Sequence, residues 1–277
     1  MKKLKRITCL MLVLVFAMSM VACGSKGSSK KLEELSVDDL GTKVVEAGKN
    51  DVKGLTAEGK MKMNISASMD GQSMDLVSLE ADIDAKFDKE TMLAKSAVNM
   101  TMSMLGQEQE ETAESYIKYG EDKVTTYNYD GEEWEVSESE DSDSLDMISS
   151  MEELQNLDIS EMKEYFSSMD TKTSDGNYVL EASATIAELL ELAGEYGEEA
   201  LGDMGFDADT MPDLTINFEA KFDGETYLPK SVKVFVDGDK INYEGMELEV
   251  KACEFEMEFT SYDAVSIEIP QEALDAE

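Results

Sequence analysis

The sequence predicts an α+β chain in which a large antiparallel β-sheet curls into an unclosed half-barrel with helices on its concave face. Three observations predict it. Residues 57–69 alternate apolar and polar side chains without a break, the period of a strand with one buried face. Later alternating runs slip phase part-way along, as a β-bulge makes them do, and bulges bend long strands. Between two blocks of such runs lie amphipathic segments with helical spacing, which can fill the hollow side of a curled sheet.

The chain opens with Lys2, Lys3, Lys5 and Arg6, then an almost wholly apolar run from Ile7 to Val21, closed by Met20-Val21-Ala22-Cys23-Gly24. The run is short for a bilayer span and reads as a cleaved signal. Its end resembles a bacterial lipobox, with methionine where leucine is usual. That resemblance implies a diacylglyceryl group on Cys23 and cleavage just before it; the plain alternative is a secretory signal that happens to hold a cysteine. Residues 1–22 are thus expected to be a lipoprotein signal peptide, 23–35 a lipidated Gly/Ser/Lys tether, and 36–277 a single half-barrel domain. Two acyl chains suffice for stable anchoring, so the expected location is the extracytoplasmic face of the cell membrane.

Ser36 followed by Asp39 has the spacing of a helix cap, and Val37, Leu40, Val44 and Ala47 share one helical face, predicting a short helix that ends near Gly48. The long alternating strand of residues 57–69 comes next, with Asp70-Gly71 as its turn. In the following run Met74 and Leu76 hold one phase and Leu79, Ala81, Ile83, Ala85 and Phe87 the other, which predicts a bulge near Val77. Ser96, Val98, Met100, Met102 and Met104 continue the sheet, with shorter aromatic strands at Tyr116–Tyr119 and Val124–Tyr129. A helical insertion is predicted over about 144–204. One helix carries Leu145, Ile148, Met151 and Leu154; a second carries Met162, Tyr165, Phe166 and Met169; a third opens at Thr185 with Glu188, after a strand at Asn177–Ala184. The last long run changes phase between Val250 and Cys253, predicting a bulge near Ala252.

Residues 85–96 recur at 220–231 with nine identities in twelve positions. Each copy sits between alternating runs, so an internal duplication is expected; convergent turn chemistry is the alternative.

Composition narrows function. Without the signal, 20 basic residues face 62 acidic ones, and the chain has no histidine. Nucleic acid is excluded as a partner, because binding it needs clustered positive charge. The usual general base and the commonest metal ligand are missing, so neither a catalytic residue, a metal nor a cofactor is expected. Asp141, Asp143 and Asp146 lack the glycine and terminal glutamate of an EF-hand loop. Cys253 falls in the apolar phase of its run and reads as a small buried hydrophobe.

The lipobox, the capped N-terminal helix, Asp130-Gly131-Glu132-Glu133-Trp134, Thr226-Tyr227-Leu228-Pro229-Lys230 and the closing Ile267-Glu268-Ile269-Pro270 together resemble the LolA/LppX-like bacterial lipoprotein carriers, and more closely uncharacterised clostridial lipoproteins related to them. The resemblance implies a half-barrel that holds acyl chains between sheet and helices, with no catalytic residues. The arginine of some carriers has no counterpart in the mature chain. The inward phase of the strands nominates Met61, Met63, Ile65, Ile83, Phe87, Met100, Met102, Ile216, Phe218, Val234, Phe255 and Met257 as ligand-cavity residues. Unbranched thioethers repack around variable shapes, which suits a permissive apolar site. The expected partners are the membrane and a lipid or other apolar ligand. The competing reading is an envelope structural or protein-interaction module with a filled methionine-rich core and an acidic binding surface.

Overall fold

The structure is a computed structural model that describes residues 32–69, 72–104, 106–120, 123–139, 166–185, 188, 214–236, 240–243 and 246–276. Helix α1 (Val37–Asp51) starts as its cap foretells. Ser36 is extended, the Asp39 N–H donates to Ser36 Oγ at 3.1 Å, and the Ser36 hydroxyl donates to the Asp39 carboxylate at 2.6 Å. Such a cap stabilises a helix by about 1 kcal/mol.

Twelve strands follow among the described residues: β1 (Gly54–Met69), β2 (Gln72–Asp88), β3 (Leu93–Met104), β4 (Gln107–Tyr119), β5 (Val124–Tyr129), β6 (Trp134–Ser139), β7 (Ser168–Ser174), β8 (Asn177–Thr185), β9 (Thr215–Asp223), β10 (Pro229–Val236), β11 (Lys240–Tyr243) and β12 (Met246–Ser261). They form one unclosed antiparallel sheet in the order β6-β5-β4-β3-β2-β1-β12-β10-β9-β8-β7, with β11 paired to β12. A one-turn helix α2 (Gln271–Leu274) ends the chain. The joint between the two blocks is β1 against β12, the first strand against the last.

Both expected bulges are present. Ile65 pairs with Val77 and Ser66 with Asp75, leaving Leu76 unpaired in β2. Ile65 pairs with Val250 and Asn64 with Ala252, leaving Lys251 unpaired in β12. The two bulges flank the same part of β1, so the central strands bend together. The Lys251 ammonium meets the Asp75 carboxylate at 2.6 Å. That ion pair joins the two neighbours of β1 across its outer side, where Ser66 is fully buried.

The concave side carries the main core. Leu55, Ala57, Ile83, Phe87, Ala94, Tyr119, Val124, Val232, Met257 and Phe259 form one buried cluster drawn from seven strands. Helix α1 lies on the same side: Leu40 and Val44 pack on Tyr178 and Phe222 of β8 and β9, and the face of α1 away from the sheet stays polar. On the convex side an apolar patch of Leu93, Tyr116 and Tyr127 is closed by Ile267, Ile269 and Ala273 of the C-terminal segment.

Three features depart from the sequence reading. Helix α1 continues past Gly48 to Asp51. Strand β4 begins at Gln107, well before the aromatic stretch, because β3 supplies an unpaired edge that the polar residues can complete. Phe166 is outside any helix and Met169 lies in β7, opposite Ala182, so the second central helix reaches neither. The rest of the first two central helices, residues 144–165, and the body of the third lie outside the described residues. The opening of the third is described: Glu188 N–H donates to Thr185 Oγ1 at 3.2 Å, and Thr185 N–H returns to the Glu188 carboxylate at 2.6 Å.

Candidate functional site

Directly paired residues of an antiparallel sheet point to the same face, so register shows which predicted site residues meet. One row across the sheet reads Met100, Ala81, Met61, Phe255, Val234, Phe218, Ala182. The row toward Gly54 reads Val98, Ile83, Gly59, Met257, Val232, Ala220, Leu180. On the other side, Met102 faces Leu79, Leu79 faces Met63, and Met63 faces Cys253. Ile65 follows between Val77 and Val250, and Phe87 between Leu55 and Ala94. Ile216 pairs with Val236 on the same face of β9. All twelve nominated residues therefore lie on one concave surface. Cys23 lies outside the described residues.

Burial divides that surface. Phe87, Ile83, Met100 and Met257 are buried, Met257 to 1% exposure. Gly59 explains part of this, since a Cβ there would stand 2.8 Å from the Met257 methyl group. Met61, Met63, Ile65, Met102, Ile216, Phe218, Val234 and Phe255 are only half-buried. Exposure rises toward the β1–β2 and β3–β4 hairpins, where Met74 and Met104 are 57% and 51% exposed. The surface thus runs from a packed floor near Gly54 to an accessible methionine-rich half.

Sequence reasoning left several members of this surface out of the site. Leu79 and Ala81 pack with Met100, Met61 and Met63; their alternation was visible. Phe166, assigned to a helix, sets its ring edge-on to Phe218 with centroids 5.5 Å apart. Cys253 faces Met63, and burial pushes its thiol above the ordinary value. A thiol held protonated is a poor nucleophile and behaves as a small apolar group.

Away from the patch that the C-terminal segment covers, the convex face is chemically opposite. Its rows carry Asp82, Lys60, Glu256, Lys233 and Glu219 side by side. Lys62 meets Glu80 at 3.0 Å and Lys233 meets Glu254 at 3.1 Å. These pairs are largely exposed and each contributes little to stability. Their effect is to keep the outer side wet.

The family of unknown function DUF6612 matches residues 36–277, from the cap of α1 through the last helix. The chain belongs to that family. No curated protein matches this DUF6612 chain significantly. Among solved structures, LprF from Mycobacterium bovis aligns with 8% identity and a TM-score of 0.35, covering 84% of this chain and 95% of LprF. A beta-barrel-like protein of domain of unknown function DUF1849 from Brucella abortus aligns with 6% identity and a TM-score of 0.23, covering 76% of this chain and 100% of that one.

Proposed function

We propose that this DUF6612 chain is an extracytoplasmic lipoprotein, anchored to the membrane through Cys23, that holds a lipid or other apolar ligand against the concave face of its sheet and performs no chemistry on it. The observation that carries the reading is the half-buried apolar surface. Twelve side chains nominated for one face share it, and eight of them keep accessible area. Covering apolar surface is favourable by about 25 cal/mol per Å², so these residues gain by meeting an apolar ligand. The lipobox supports the anchor. The unclosed sheet with a helix on its concave side agrees with the carrier resemblance, and among the described residues that surface holds no thiol of lowered pKa.

The test is native mass spectrometry of the full chain after mild detergent extraction from its membrane. A co-purifying mass that a Met61→Glu/Met102→Glu variant loses is the expected result. A ligand-free wild type that also fails to take up added lipid would count against the reading. Separately, Cys23→Ala is expected to move the protein from the membrane fraction to the soluble one.

A further inference from the structure

The accessible half of the concave surface has unequal borders. Toward β12, β10 and β9 the row of Met61 stays apolar through Phe255, Val234 and Phe218. Toward β4 it stops. Met100 faces Glu111, Met102 faces Gln109, and Met104 faces Gln107. Nearer Gly54 the same border carries no charge and no carboxamide, with Val98 opposite Ala113, Ser96 opposite Ser115 and Ala94 opposite Ile117. The strip of carboxylate and carboxamides is therefore local to the methionine rows, and every residue from Gln107 to Ala113 is exposed. Lys95 and Lys118, the lysines of β3 and β4, fall in the alternate phase and face the convex side, opposite Tyr116 and Leu93.

We propose that Glu111, with Gln109 and Gln107, selects the head group of the bound amphiphile. The tail lies along Met61, Met63, Met100 and Met102, and the head group rests on β4, where one carboxylate and two carboxamides receive it. Uncharged or cationic head groups are admitted and anionic ones are disfavoured. The inference rests on the ligand-binding reading above. Its physical content is short-range: two like charges about 4 Å apart in water repel enough to change an affinity about fivefold, and more where apolar surface thins the solvent. The carboxamides donate and accept, so they can pair with hydroxyl or amine groups without adding charge.

The experiment uses the full chain and three probes that share one tail, hexadecanol, hexadecyltrimethylammonium and hexadecanoate, each titrated below its aggregation concentration. Hexadecanoate is expected to bind at least about fivefold more weakly than the other two. Glu111→Lys is expected to close or reverse that gap. Glu110→Lys makes the same change in net charge on the neighbouring residue, which faces the other side opposite Thr101, and is expected to leave the gap in place. Equal affinity of the wild type for all three probes overturns the selectivity. So does a Glu110→Lys effect as large as that of Glu111→Lys, because the discrimination would then come from the charge of the whole molecule. Equal capture leaves the binding reading standing; capture of none of the probes removes both.

Discussion

The turn after β2 and the turn after β9 are made of nearly the same residues and are docked in different ways. In the first, Asp88 accepts the Glu90 N–H at 3.1 Å and the Thr91 hydroxyl at 2.7 Å. In the second, Asp223 accepts the N–H groups of Glu225 and Thr226, each at 3.0 Å. Both chains then pass through a left-handed residue at the same place, Met92 with φ 51° and Tyr227 with φ 60°, and both continue into a buried leucine, Leu93 or Leu228. The local sequence thus determines the bend. Docking differs. Lys95 reaches Glu114 on β4, whereas its counterpart Lys230 turns back to Asp223 at 2.9 Å. The backbone N–H at the next position docks in both turns, Lys89 on the Lys53 carbonyl at 3.3 Å and Gly224 on the Gly176 carbonyl at 3.2 Å, but Lys89 is exposed and Gly224 is buried. The second turn receives the segment that leads into α1, with Leu32 against Gly224. A repeated element can therefore keep its backbone while its changed positions record what packs on it.

The largest test of that comparison is Gly224→Ala against Lys89→Ala. A Cβ on Gly224 would stand 2.7 Å from a Leu32 methyl group and closer still to the Gly176 carbonyl oxygen. Backbone cannot yield cheaply, so Gly224→Ala is expected to destabilise by about 1–3 kcal/mol. Lys89→Ala is expected to stay within about 0.5 kcal/mol. Urea denaturation of the two variants measures both, and similar midpoints would show that the second turn is no tighter than the first.

Next in size is Asp223→Asn. Burial alone would raise its carboxyl. The hydrogen bond from Lys230, the N–H groups of Glu225 and Thr226 and the Lys230 charge outweigh burial and hold it at about 2, below the usual 3.8. A depressed folded-state value means that the stabilisation is complete above the ordinary carboxyl range and is lost as pH falls from about 4 toward 2. Asp223→Asn is expected to lose about 1–2 kcal/mol near neutral pH, and its deficit relative to wild type should shrink over that acid window. Denaturation midpoints of both proteins at neutral pH and down to about pH 2.5 give the difference. A deficit that does not change with pH would mean that the Lys230 pair contributes nothing.

The same contrast between local and imposed structure explains what was legible in the sequence. A period of two fixes the face of each residue in β1, β2 and β12 on either side of a phase slip, so the residues that share the concave face could be named without knowing which strands were neighbours. Phase slips near Val77 and Ala252 were readable because apolar residues flank them on both sides, and the unpaired residues are their neighbours Leu76 and Lys251. Residues 107–113 gave no signal, since Gln-Glu-Gln-Glu-Glu-Thr-Ala is polar in both phases and becomes strand only because β3 has an edge to pair. The head-group strip could not be foreseen for that reason: Glu111 matters through its register with Met100, and register is a property of two segments. Met169 was misplaced because Met162, Phe166 and Met169 also fit helical spacing, and pairing with β8 decides the matter.

The smallest expected effect probes the docking of α1 itself. The Lys43 ammonium stands 4.8 Å from the centre of the Tyr227 ring, which stacks on Tyr178 with centroids 5.6 Å apart. A cation over an exposed aromatic face contributes about 0.5–1 kcal/mol, so Lys43→Gln is expected to destabilise by about 0.5 kcal/mol. Loss of an ordinary surface charge could mimic this. The double-mutant cycle separates the two, because in a Tyr227→Leu background the second substitution should have no further effect. The first turn carries Met92 at the matching position, half-buried against the main core, and a methionine there offers no ring to a cation. Tyr227→Met would convert the second turn to the residue of the first. If it leaves the Lys43→Gln penalty unchanged, then the apolar contacts of Leu40 and Val44 alone hold α1 to the sheet, and the tyrosine pair is not part of the latch.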